Sequence, residues 1–82
     1  IEYINNIGSY YLVNEDYKTA LKYYGKVLKK DAKDYTAIKN SALSARKMKN
    51  TKLEAKYLQM LVKYGPENDI PAAKARLEAI GK

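Results

Sequence analysis

Apolar residues recur along this chain at three- and four-residue intervals, broken by short polar stretches, and no segment alternates with the period of two that a strand needs. Ile4, Ile7, Tyr11 and Leu12 share one helical face. Tyr17, Ala20, Leu21, Tyr24, Val27 and Leu28 share a second. Ile38, Ala42 and Ala45 form a third stripe, Ala55, Leu58, Leu61 and Val62 a fourth, and Ile70, Ala73, Leu77 and Ile80 a fifth. The polar breaks lie at Asn14-Glu15-Asp16, at Asp31 to Asp34 and at Asn50-Thr51. Asp16, Asn50 and Asp69 are suited to cap the helices that follow them. Gly65-Pro66 is the strong stop: Pro66 cannot continue a helix, and Gly65 is expected in a left-handed cap. The pattern predicts five helices, at about 2–13, 17–30, 35–48, 51–64 and 69–80, in an all-α fold.

The chain also resembles itself. A shift of 34 maps Ile4 to Ile38, Gly8 to Ala42, Leu21 to Ala55, Tyr24 to Leu58, Val27 to Leu61 and Leu28 to Val62. It carries Asp16 onto Asn50 and Ala32 onto Pro66. A shift of 35 instead turns Lys56, Gln59 and Lys63 inward. The main misfit at 34 is Glu54, which falls where the first hairpin has Ala20. Gly8 and Ala20 are small where antiparallel helices would cross, and Tyr11, Tyr17 and Tyr24 are large where gaps need filling.

This period and pattern resemble the tetratricopeptide repeat, whose signature is W-x2-L-G-x2-Y, then A-x3-F, then P. Ile4, Ile7, Gly8 and Tyr11 stand in the spacing of the first block, and Tyr17, Ala20, Tyr24 and Val27 match the second helix. Asp31-Ala32 stands where the family usually has Asp-Pro. Repeat 1 would span 1–34 and repeat 2 would span 35–68, with 69–82 as a capping helix, all in one domain. The second repeat departs from the pattern at Ser41 and Ala45, which are small where bulk is common, and at Glu54. The resemblance implies two helix-turn-helix hairpins stacked as a right-handed α-solenoid fragment. The capping helix is expected to keep Lys74, Arg76, Glu78 and Lys82 on its outer side. No equivalent cover is expected over the first hairpin, which therefore should meet further repeats or a second copy.

The resemblance further implies a protein-interaction scaffold whose first helices line a concave groove. By helical phase the groove residues are Asn5, Ser9, Leu12 and Val13, then Lys39, Asn40, Leu43, Arg46 and Lys47, with Lys74 as an addition. The expected partner is a protein or peptide, preferably an acidic one. Some family members clamp the acidic tails of chaperones; here only Asn40 fits that set, with Asn5 and Ser9 in place of the first Lys and Asn and with Ala73 and Leu77 at the third site, so chaperone tails are not expected.

Composition narrows the alternatives. The 82 residues contain no His and no Cys, which removes the usual general base, disulfides and thiolate metal ligands, so neither catalysis, a cofactor nor a metal is expected. The carboxylate clusters Glu15-Asp16, Asp31 with Asp34, and Glu67 with Asp69 sit at turns, where capping explains them. The net charge of +7 favours acidic partners. Lys18, Lys22, Lys26 and Lys29 form a basic stripe beside Tyr23, a possible contact for nucleic acid or an anionic surface. With two Arg in the whole chain, base readout is disfavoured, and nucleic acid and membrane are not the expected partners. Tyr11 and Tyr24 are expected to face the core, while their neighbours Tyr10 and Tyr23 are candidates for exposed contact patches, with partial burial between the hairpins the favoured expectation. The chain opens at Ile1 without a signal-like segment and is expected to be a fragment or a processed form.

Overall fold

The computed structural model describes residues 2–81 and is all-helical over them. Five α-helices follow in order: α1 Glu2–Val13, α2 Tyr17–Lys30, α3 Tyr35–Lys47, α4 Thr51–Tyr64 and α5 Ile70–Gly81. A 3-10 turn at Glu67–Asp69 leads into α5. Lys82, expected on the outer side of the last helix, lies outside the described residues.

The caps explain the boundaries. Asp16 accepts a hydrogen bond from the Thr19 amide at 3.3 Å, and Asn50 accepts one from the Leu53 amide at 3.1 Å. Asp34, at the head of α3, accepts from the Ala37 amide at 3.0 Å. These side chains satisfy amides that the first helical turn leaves without partners. Both hairpins turn the same way. Glu15 and Lys49 take positive φ values of 63° and 59°, and the next amides reach back five residues, from Asp16 to Tyr11 at 2.8 Å and from Asn50 to Ala45 at 3.0 Å. Cap, turn and second helix thus recur 34 positions apart, since α2 begins at Tyr17 and α4 at Thr51.

Two positions differ from expectation. Gly65 is extended, with φ −75°, and not left-handed. Its need for glycine is spatial, because a Cβ there would sit 2.5 Å from the Leu61 carbonyl oxygen. Asp69 does not head α5 as a cap; it closes the 3-10 turn, and its carboxylate accepts the Tyr35 hydroxyl. Pro71 follows in the first turn of α5, where a missing amide costs nothing.

Each helix packs against its neighbours in the chain, and α1 also touches α3. Two apolar clusters result. Ala20, Tyr24, Val27 and Ala37 join α1, α2 and α3; Ile38, Ala42, Ala45, Tyr57, Leu58, Leu61 and Ala73 join α3, α4 and α5. Leu28 packs against both. The radius of gyration is 11.8 Å, and a chain of this length folded about one core should give about 12 Å, so the two clusters are parts of one packed body.

Tyr24 is the anchor of the first cluster. It is fully buried, and its hydroxyl lies 2.9 Å from Ser9 Oγ on α1 and accepts from Asn40 Nδ2 on α3 at 3.2 Å. Gly8 makes room for its ring: a Cβ at position 8 would lie 2.8 Å from Tyr24 Cε1. Gly25, by contrast, faces open space. Gly8→Ala should therefore destabilise by roughly 1–3 kcal/mol through overpacking, whereas Gly25→Ala should stabilise by about 0.5–1 kcal/mol through helix propensity. Urea unfolding midpoints of the two variants should move in opposite directions, and a shift of the same sign would contradict the packing described.

Burial pushes the Tyr57 phenol above its ordinary value. The native state thus favours the neutral phenol, and this contribution is complete below about pH 10 and is lost as the pH climbs through the raised value. Chemical unfolding from neutral to strongly alkaline pH should show a steeper loss of stability in the native chain than in Tyr57→Phe. Parallel curves would refute it.

Candidate functional site

A groove of about 240 Å³ opens between α3 and α5, with α4 as its floor. Lys39, Leu43 and Arg46 come from α3, Leu58 from α4, and Ala72 and Arg76 from α5. The small side chains of Ala42 and Ala73 add to its lining. Leu43 leaves 40% of its surface exposed, so the groove offers an apolar contact between charged rims.

The floor is set by Glu54. This residue occupies the place of Ala20 in the first hairpin, and it is only 2% exposed. A carboxylate at such depth needs a charged, hydrogen-bonded partner. Arg76 supplies it from α5, with Nε to Oε2 at 2.8 Å and Nη2 to Oε1 at 3.2 Å. The two parallel bonds form the planar fork that guanidinium and carboxylate favour. Contact with Glu54 raises the Arg76 pKa further, so this arginine stays charged at any relevant pH. Among the described residues this is the sole ion pair. Arg76 was expected on the solvent side of the last helix. The structure turns it inward because Glu54 lies across the interface, and its side chain keeps 35% of its surface open toward the groove.

Asp69 is engaged as well, through the Tyr35 hydroxyl, which binds the start of α5 to the start of α3. Lys39 lies at the groove's edge, its Nζ 5.5 Å from the centre of the Tyr35 ring. The nearby Tyr35 phenol, and then the Asp69 carboxylate, raise its pKa and hold it charged. Glu54 is thus paired with Arg76, Asp69 accepts the Tyr35 hydroxyl and faces Lys39 across it, and neither Lys39 nor Arg46 forms an ion pair among the described residues.

The expected groove residues divide sharply. Lys39, Leu43 and Arg46 do line the groove. Lys47 and Lys74 are exposed but stand outside it. Asn40 is half-buried and spends its amide on Tyr24. Asn5 is buried, and Ser9 and Leu12 are half-buried against the first cluster. Asn5 donates to Asp34 Oδ2 at 2.9 Å, Ser9 meets the Tyr24 hydroxyl, and Leu12 packs on the Tyr24 cluster. The reason is helical phase: these residues flank Gly8, which faces α2, so α1 turns this side to its own partners. Val13 is 81% exposed at the end of α1 and does not border the groove. Sequence reasoning missed Glu54 and Arg76 as a groove pair. The available signal was the charge at the small-residue position, which demanded a cation from an element packed above it.

On α2, Lys18, Lys22, Lys26 and Lys29 are exposed, as the pattern predicts. Lys26 lies 5.0 Å from the centre of the Tyr23 ring, and that ring stacks on Tyr11 at 5.6 Å. Tyr23 is therefore half-buried and not open for stacking with a base. No group of three metal-ligating side chains gathers among the described residues, and no described helix is long and apolar enough to cross a membrane.

No protein-family model matches the chain, and neither a curated relative nor a similar solved structure was found.

Removing either partner of the buried pair should have unequal effects. Arg76→Ala leaves Glu54 buried without a cation and should cost roughly 2–3 kcal/mol, below the ~3–5 of a fully enclosed pair because Arg76 is partly solvated. Glu54→Ala lets Arg76 swing out to water and should cost roughly 1 kcal/mol or less. Equal losses in urea unfolding, or a larger loss for Glu54→Ala, would contradict this reading.

Proposed function

We propose that this chain is a non-catalytic, tetratricopeptide-like interaction module. In this reading it receives a short peptide in the groove between α3 and α5. The observation that carries the reading is the state of the groove's charges: Glu54 is paired with Arg76, while Lys39 and Arg46 border the apolar Leu43 and Leu58 with no ion pair of their own among the described residues. The ligand that complements it carries an apolar side chain to rest against Leu43 and Leu58. It also carries flanking carboxylates for Lys39 and Arg46. The recurrence of caps and turns at 34 residues supports the family reading, as does the contact of α1 with α3 across the intervening helix.

A displayed random-peptide library selected on the chain should enrich sequences with an apolar residue beside Asp or Glu. Lys39→Glu combined with Arg46→Glu should weaken the selected peptides at least about tenfold, equivalent to ~1.4 kcal/mol, without changing helicity. Selection without enrichment, or binders indifferent to the double substitution, would refute the proposal.

A further inference from the structure

We infer that the outer face of α1 is a self-association surface that seats a second copy of the chain. Tyr3 and Tyr10 are 75% and 64% exposed, and Ile7 lies one turn from each on the same side of the helix. The 34-residue recurrence gives this face its meaning. Tyr3, Ile7 and Tyr10 correspond to Ala37, Ser41 and Ser44 on α3, and all three of those are fully buried. On α3 Ala37 packs in the Tyr24 cluster, so this face is covered by the first hairpin. On α1 the same register is open at Tyr3 and Tyr10, with Ile7, expected on the core stripe, half-buried between them, and it carries larger side chains than its buried counterpart. Aromatic rings spaced seven residues apart on one helix are suited to pack across a twofold axis.

Charge selects the occupant. The chain carries +7, and α2, α3, α4 and α5 all bear Lys or Arg. Helix α1 bears neither, and Glu2 is its one charged residue. Two copies meeting through any other helix would bring cations together, whereas α1 lets them meet through neutral tyrosine-rich surface. An acidic partner would be drawn to the lysine-bearing faces instead. The contact itself is nearly uncharged while the bodies repel, so added salt should tighten the dimer.

Sedimentation equilibrium of the chain up to about 1 mM is the test. The apparent mass should rise with concentration from 9.4 kDa toward twice that value, at lower concentration when salt is raised. Tyr3→Lys combined with Tyr10→Lys should remain monomeric while keeping its helical circular dichroism, and Lys39→Glu with Arg46→Glu should still dimerise, which separates this surface from the groove. A native chain that stays monomeric throughout would overturn the inference and leave the face to another occupant. Dimerisation of the double-lysine variant, or dissociation by salt, would also overturn it.

Discussion

A buried carboxylate must find a cation or give up its charge, and in this chain that requirement positions the last helix. Glu54 is buried 34 positions on from Ala20, which is itself fully buried in the first cluster. Arg76 answers it from α5 with a two-bond fork, and Ala73 on the same helix enters the apolar cluster one turn earlier. Apolar packing alone would tolerate sliding and rotation of a short, weakly amphipathic helix. The fork restricts both, because a planar pair tolerates little change in distance or angle. With α5 fixed, the groove acquires its second wall.

The same logic of polar fastening recurs elsewhere. Tyr24 links α1 to α3 through Ser9 and Asn40, Asn5 reaches Asp34 at the head of α3, and Tyr35 reaches Asp69 at the approach to α5. Small residues make these reaches possible. Gly8 admits the Tyr24 ring, and Ser41, Ser44 and Ala45 keep α3 slim enough to be covered on several sides. Helix α3 is thus the shared element, contributing Ala37 to one cluster and Ile38 to the other. An 82-residue chain has a thin core, and directional contacts of this kind define register where apolar area is limited.

The helices were legible because periodicity and caps are local. Asp16 and Asn50 mark starts that can be read within four residues, and the expected bounds agree with the observed ones almost throughout. Long-range polar partners were not legible. Asn5 reads as a surface amide until Asp34, 29 positions away, is brought against it. Arg76 reads as a solvated cover residue until Glu54 is found beneath it. Gly65 illustrates a subtler failure: a glycine after a helix suggests a left-handed cap, but here glycine is needed because the Leu61 carbonyl leaves no room for a Cβ. Of the groove, the α3 wall followed from helical phase, whereas the floor and the α5 wall depended on how the last helix rotates, which its modest amphipathicity left open.

Hydrogen exchange of the native chain, resolved by residue, reports whether α5 belongs to the same cooperative unit as α4. With α5 fastened through Arg76 and Glu54, amides from Ala73 to Leu77 should be protected to the same degree as those from Leu58 to Leu61. Exchange of α5 at rates near those of an unstructured peptide, with α4 still protected, would contradict it.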